Sequence, residues 1–250
     1  MILKELKIGK FTIPVPIIQG GMAVKISTAP LAAAVANQGG VGVIAGTGMS
    51  IEELINEIRL ARSMTKGVIG VNVLFAVRNF SDLVKAAMAE GIDLFISGAG
   101  FSRDMFSWGK EYGTPIIPIV SSAKLAAMAQ KLGAAAVVVE GKEAGGHLGT
   151  DRSMREILPE VCKEIDIPVI GAGGIITGRD IADLIKLGAS GVQMGTRFAA
   201  SVESNASKEM KEQYIKATRE DIVHVNSPVG LPGQCIRNDF YNMIEKGESE

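Results

Sequence analysis

A chain of 250 residues that is 47% hydrophobic and 21% charged holds enough apolar material for one large buried core, so a single domain over residues 1–250 is expected. A formal net charge of -1 with no run of Lys or Arg excludes the basic field that holds nucleic acid. The uncharged stretch 26–51 is broken by Ser27, Pro30, Asn37, Gln38 and the Gly39-Gly40 pair, and residues 1–7 mix charge with apolar side chains, so neither a membrane span nor a signal peptide is expected. The two cysteines, Cys162 and Cys235, show no Cys-x-x-Cys or Cys/His spacing; no disulfide framework and no metal site are expected, and a cytoplasmic location fits.

Along the chain, short runs of β-branched and apolar residues recur at nearly even intervals, each followed by a helical pattern. Strands are expected at 17–20, 41–44, 68–71, 93–96, 115–119, 135–139, 168–171 and 191–194. Eight alternating units close into a (β/α)8 TIM barrel. A doubly wound open sheet is the alternative, disfavoured by strand count and length. Runs such as Ala135-Ala136-Val137-Val138-Val139 suit a parallel sheet covered on both faces. Ser50 ahead of Glu52 and Glu53, and Thr177 ahead of Asp180, read as helix starts, and Gly188 reads as a left-handed helix stop. The widest gap separates the sixth and seventh strands and holds residues 140–150; in a barrel this loop lies on the catalytic face. From about 199 to 250 the periodicity changes: a helical stretch over 204–218 leads into an irregular tail through Ser227, Pro228, Gly230, Pro232 and Gly233, expected to cover the barrel.

Two segments look built for an anion: Gly171-Ala172-Gly173-Gly174 after strand seven and Met194-Gly195-Thr196 after strand eight. Consecutive glycines leave backbone N–H groups open to phosphate oxygens, a helix N-terminus behind adds a favourable dipole, and barrels often bind phosphate here. The plainer reading is tight turns. His147, between Gly145-Gly146 and Gly149 on the longest loop, has the pKa range for proton transfer, although a lone histidine is more often structural. His224, in the run Ile222-Val223-His224-Val225, is expected to pack. Met22, after Gln19-Gly20-Gly21, can lie on an aromatic ring system, and Asn72 can read a heterocycle edge; core filling and a turn amide are their plainer roles. Glu140 and Glu143 offer acid/base chemistry, or simply solvated charge or a loop salt bridge. Ser121 and Ser122 read as a helix cap facing the site.

The segments EGKEAGGHLG, IPVIGAGGI, GASGVQMGTRF and IIQGGMA together resemble the nitronate monooxygenase family, formerly the 2-nitropropane dioxygenases, and are similar to the flavin-dependent enoyl-acyl-carrier-protein reductases. The resemblance implies an FMN-bound barrel in which His147 is the active-site histidine. It also implies flavin contacts at Asn72, Glu140 and Gly145, one phosphate loop at Gly173 and Gly174, and a second at Gln193, Met194, Gly195 and Thr196. Other members carry glutamine where this chain has Glu140. The activity implied first is oxidation of a nitronate or nitroalkane by O2 to a carbonyl compound and nitrite. The alternative is reduction of an enoyl thioester with NADH or NADPH. A non-catalytic nucleotide-sensing barrel is a third reading, and assembly as a homodimer stays open. A nucleotide-dehydrogenase type of barrel is disfavoured, since Cys162 falls in a helical pattern.

Overall fold

The computed structural model describes residues 3–147, 149–226 and 232–245. The chain opens with a small antiparallel hairpin, β1 (Leu6–Ile8) and β2 (Phe11–Ile13), that the strand pattern did not anticipate. There follow β3 (Ile17–Gln19), α1 (Ala29–Asn37), β4 (Val41–Ala45), α2 (Ile51–Met64), β5 (Val68–Leu74) and α3 (Phe80–Ala89). Next come β6 (Leu94–Gly98), α4 (Arg103–Tyr112), β7 (Ile116–Val120), α5 (Ala123–Leu132) and β8 (Val137–Glu140). The two-residue β9 (Gly146–His147) interrupts the alternation before α6 (Met154–Glu164), β10 (Val169–Ala172), α7 (Gly178–Lys186), β11 (Gly191–Met194) and the short α8 (Thr196–Ala199).

The eight expected strands are present, with ends shifted by at most a few residues, and close into a parallel barrel in the order β10-β11-β3-β4-β5-β6-β7-β8. This is the (β/α)8 fold. Alternation along each strand sorts its side chains into two cores. Ile18, Val41, Val43, Leu94, Ile96, Ile117, Val138 and Ile170 fill the barrel interior, while Ile69, Val71, Phe95, Val137 and Val192 face helix residues such as Leu54, Ile58, Leu83 and Leu158. The hairpin belongs to the inner core: Leu6, Ile8 and Ile13 are fully buried with the interior residues. Leu6 reaches Gly191 at the start of β11, and Gly9 lies against Pro115 just before β7. The amino-terminal end of the barrel is therefore plugged, and polar chemistry is confined to the carboxyl end.

The expected helix ends are realised. Ser50 and Glu53 form a reciprocal capping box on α2, as Thr177 and Asp180 do on α7, and Gly188 has φ 107°. Past the barrel lie α9 (Lys208–Lys216), β12 (Ile222–Asn226), β13 (Pro232–Ile236) and α10 (Asp239–Glu245). The expectation of an irregular tail is corrected here. Residues 227–231 lie outside the described residues, but β12 and β13 pair antiparallel over five positions, and β13 pairs in turn with β9. Strand alternation also corrects the expectation for His224, which lies exposed opposite Gln234 while its neighbour Val223 is buried.

Candidate active site

At the carboxyl end of the barrel, the last inward-facing residues are either small or polar. Gln193, Ala172 and Glu140 stand level on adjacent strands, because Ala172 is in register with both partners. Ala172 thus forms a low floor between a carboxamide and a carboxyl group. Nearby, Asn72 lies level with Ala45 on the neighbouring strand, and its Nδ2 donates to the Ile96 carbonyl at 3.2 Å. The loop leaving β3 runs directly over Asn72, since a Cβ on Gly21 would sit 2.4 Å from the Asn72 Cβ. Gly20 is bound to the Met194 carbonyl through its N–H at 2.8 Å and lies beside the Gln193 side chain. Gln19 anchors this loop: fully buried, it donates to the Ser27 hydroxyl and accepts from the Val43 N–H at 3.0 Å. Met22 follows, with its sulfur next to Gly195.

Two features of this rim ask for a ligand. Gln193 is 8% exposed, and its Oε1 has no hydrogen-bond partner among the described residues. A buried amide oxygen left in this way costs about 1–3 kcal/mol unless something donates to it. In addition, none of the backbone N–H groups of Gly173, Gly174, Gly195 and Thr196 finds an acceptor among the described residues. These groups leave neighbouring strands β10 and β11, so they open side by side. Gly173 and Gly174 take φ values of 105° and 65°, and Gly173 packs so closely on the Ala144 backbone that a Cβ there would lie 2.9 Å from its nitrogen.

The helix dipole expected behind the first loop is already engaged by the protein. Asp180 accepts from the N–H groups of Ile176 and Thr177 at 3.1 and 2.8 Å, so its carboxylate occupies the N-terminus of α7. Those hydrogen bonds hold the Asp180 carboxyl below its usual range. The N–H groups this loop leaves open among the described residues are those of the two glycines.

The two glutamates of the β8–α6 loop have different environments. The Glu143 carboxylate accepts from the Ser153 hydroxyl and from the Met154 N–H at 2.9 Å, capping α6. Burial pushes its carboxyl up, but the hydrogen bonds from Met154 and Ser153 outweigh it and leave the group below its ordinary value. Glu143 is therefore a structural anchor, and it braces the Gly173-Gly174 turn with its backbone against Gly173 and its side-chain stem against Gly174. Glu140 has no ion-pair partner among the described residues, and burial pushes its carboxyl up to about 7. The two carboxyl groups are therefore not equivalent: Glu143 is engaged in capping and Glu140 is not. Of His147, the backbone lies in β9, whereas the side chain lies outside what the structure describes. Gly145 is exposed, with open space around it.

Of the remaining positions, Thr196 is exposed at the start of α8, Ser122 caps α5, and Ser121 lies against Gly149. Cys162 is in α6, where burial pushes its thiol up. One site position was not singled out from sequence: Gly98, at the end of β6, faces the Asn72 amide, and its signal was the Ser97-Gly98-Ala99-Gly100 turn directly after an apolar run. Among the described residues no group of three His, Cys, Asp or Glu is placed to hold a metal, and no helix is long and apolar enough to cross a membrane.

Residues 4–250 match the sequence profile described as nitronate monooxygenase. The chain belongs to the nitronate monooxygenase family. Within curated relatives, the (3aS,4S,5R,7aS)-5-hydroxy-7a-methyl-1-oxo-octahydro-1H-indene-4-carboxyl-CoA dehydrogenase of Mycobacterium tuberculosis is 32% identical over 93% of this chain and 66% of its own length. A probable nitronate monooxygenase of Staphylococcus aureus is 30% identical over 96% of this chain and 80% of its own. Of solved structures, FabK from Thermotoga maritima superposes with a TM-score of 0.90 at 40% identity, covering 94% of this chain and 75% of FabK. A nitroalkane oxidase from Streptomyces ansochromogenes gives 0.85 at 26% identity, covering 94% and 80%. This nitronate monooxygenase family member therefore spans just under two thirds of the Mycobacterium enzyme and about three quarters of FabK.

Proposed function

We propose that the chain is an FMN-dependent oxidoreductase whose flavin binds at the carboxyl end of the barrel. The observation that carries this reading is the Gln193 Oε1, buried beside Gly20, level with Glu140, and next to four backbone N–H groups, none of which, like the oxygen itself, has a hydrogen-bond partner among the described residues. The residues present fit the group. Gly173, Gly174, Gly195 and Thr196 would hold the phosphate; Gln193 and Asn72 would meet the polar edge of the ring, and Met22 its face. When bound, FMN supplies the hydride and electron transfer that no side chain can. The small residues Gly20, Gly98 and Ala172 leave room for a planar group, while the plugged opposite end excludes water from below. His147, by family resemblance, holds or passes the proton that the substrate gains or loses.

Between the two reactions, we favour reduction of an enoyl thioester with NADH or NADPH. Glu140 decides it. A nitronate is an anion, and a half-ionised, partly buried carboxyl group with no ion-pair partner among the described residues opposes a second negative charge. The uncharged enoyl group meets no such opposition, and the segments similar to the flavin-dependent enoyl-acyl-carrier-protein reductases support the same choice. Oxidation of a nitronate by O2 is the second reading, supported by the family profile and by the nitroalkane oxidase structure. Anaerobic spectroscopy separates them. NADH or NADPH should bleach the FMN-loaded protein and a crotonyl thioester should restore its colour, while ethyl nitronate leaves it oxidised. Bleaching by ethyl nitronate and not by either nicotinamide would reverse the order, and a protein that takes up no FMN would remove both.

A further inference from the structure

The loop between β8 and α6 is fixed at its neck and open at its tip. At the neck, the Lys142 N–H donates to the Arg152 carbonyl at 2.9 Å, and Glu143 caps α6. At the tip, a Cβ on Gly145 or Gly146 would meet nothing within 4 Å. The sheet partner of β9 is β13, with Gly233 opposite His147 and Gln234 opposite Gly146. Gly233 is buried, and a Cβ there would lie 2.9 Å from the Gly146 carbonyl oxygen and 3.7 Å from that of Val225. Any side chain at 233 would push β9 away. The ribbon that delivers Gly233 is itself anchored, by five paired positions between β12 and β13, by buried Val223, and by the Arg237 N–H bound to the Asp221 carbonyl at 2.7 Å.

We propose that Gly233 is a positioning residue for His147: by closing the β13–β9 pairing it fixes where the His147 backbone stands relative to the barrel mouth. The proposal rests on the reading that His147 is the residue that moves the proton. It gives the carboxyl-terminal ribbon a role in catalysis without touching substrate or flavin. Because the ribbon lies outside the barrel, a substitution in it should leave the barrel folded.

The test uses the full-length FMN-loaded chain carrying Gly233→Val, with Gly233→Ala as a milder step and Gln234→Ala as a control that keeps the backbone pairing. Hydrogen–deuterium exchange in the peptide spanning 144–148 should quicken at least ~10-fold in Gly233→Val, while peptides covering β5 and β8 keep their protection. Turnover should fall by about 10–100-fold at unchanged flavin content, since small misplacement of a reacting group is costly. Gly233→Ala should lie between, and Gln234→Ala should match the parent in both measurements. Unchanged protection of 144–148 in Gly233→Val would overturn the proposal. Lost protection with full turnover would also overturn it if His147→Ala is inactive; if His147→Ala is equally active, the reading of His147 is what fails, and the positioning role falls with it.

Discussion

In flavin-free protein at pH 8.5, Glu140→Gln is expected to melt well above the parent, while the two melt together near pH 4. Burial at the end of β8 lifts the Glu140 carboxyl from 4.5 to about 7. A carboxyl whose folded pKa is raised binds its proton more tightly in the folded state than in the unfolded one. Its contribution to stability is complete below the unfolded pKa and is lost as pH rises through the folded one. The window runs from about pH 4.5 to 7, and above it the parent has lost about 3 kcal/mol, since each tenfold difference in proton affinity between the two states is worth about 1.4 kcal/mol. Glutamine keeps the shape of the neutral acid and cannot ionise, so it escapes the loss. In a chain of this size that difference corresponds to roughly 6–12 °C in melting temperature. Equal melting of both proteins at pH 8.5 would show that Glu140 is solvated rather than buried. The same substitution should relax the selection against anionic substrates, because it removes the opposing charge.

Gly195→Asp is expected to weaken FMN binding by about 100-fold with the barrel intact. Gly195 takes φ -107° and ψ -76°, so it needs no left-handed backbone, and a Cβ there would make ordinary contact with the Met22 side chain at 3.7 Å. Sterically the position accepts a side chain. A carboxylate there would compete for the free N–H groups of Gly195 and Thr196 and repel a phosphate, and like charges placed together cost several kcal/mol. About 2.7 kcal/mol is a hundredfold in affinity. Gly195→Ala adds volume without charge and should change the dissociation constant by less than ~10-fold. Fluorescence titration reads both, with circular dichroism as the check on folding. Comparable affinities in Gly195→Asp and the parent would place the phosphate elsewhere.

The barrel was legible because each of its strands is a compact apolar run that must be covered on both faces, and such runs repeat. The hairpin at Leu6–Ile13 was not, since three-residue strands with lysine and threonine between their buried positions carry too short a pattern. The ribbon β12–β13 was hidden by Pro232 and Gly233, which read as loop residues; only the approach of β9 shows that Gly233 serves pairing. Near the barrel mouth, the glycine loops follow the ends of β10 and β11 as the apolar runs predict, whereas Asn72, expected to close its strand as a turn amide, lies inside β5, which runs on to Leu74. The difference between Glu140 and Glu143 could not be read from sequence, because it depends on Ser153 and Met154 folding back onto one carboxylate and on no cation among the described residues pairing with the other. Asp180 is an intermediate case. Its capping box is written in the sequence, yet the box also means that the α7 N-terminus is filled, a consequence that follows from the geometry of its carboxylate.

If two glycine loops hold a flavin by its phosphate, FMN and riboflavin should bind with very different affinities. Both ligands carry the same ring and differ in the phosphate alone. Titrated into flavin-free protein, FMN should bind at least ~100-fold more tightly than riboflavin, the difference coming from charge-assisted hydrogen bonds to the free N–H groups of Gly173, Gly174, Gly195 and Thr196. Equal affinity for the two, or no binding of either, would mean that these loops do not hold a flavin phosphate.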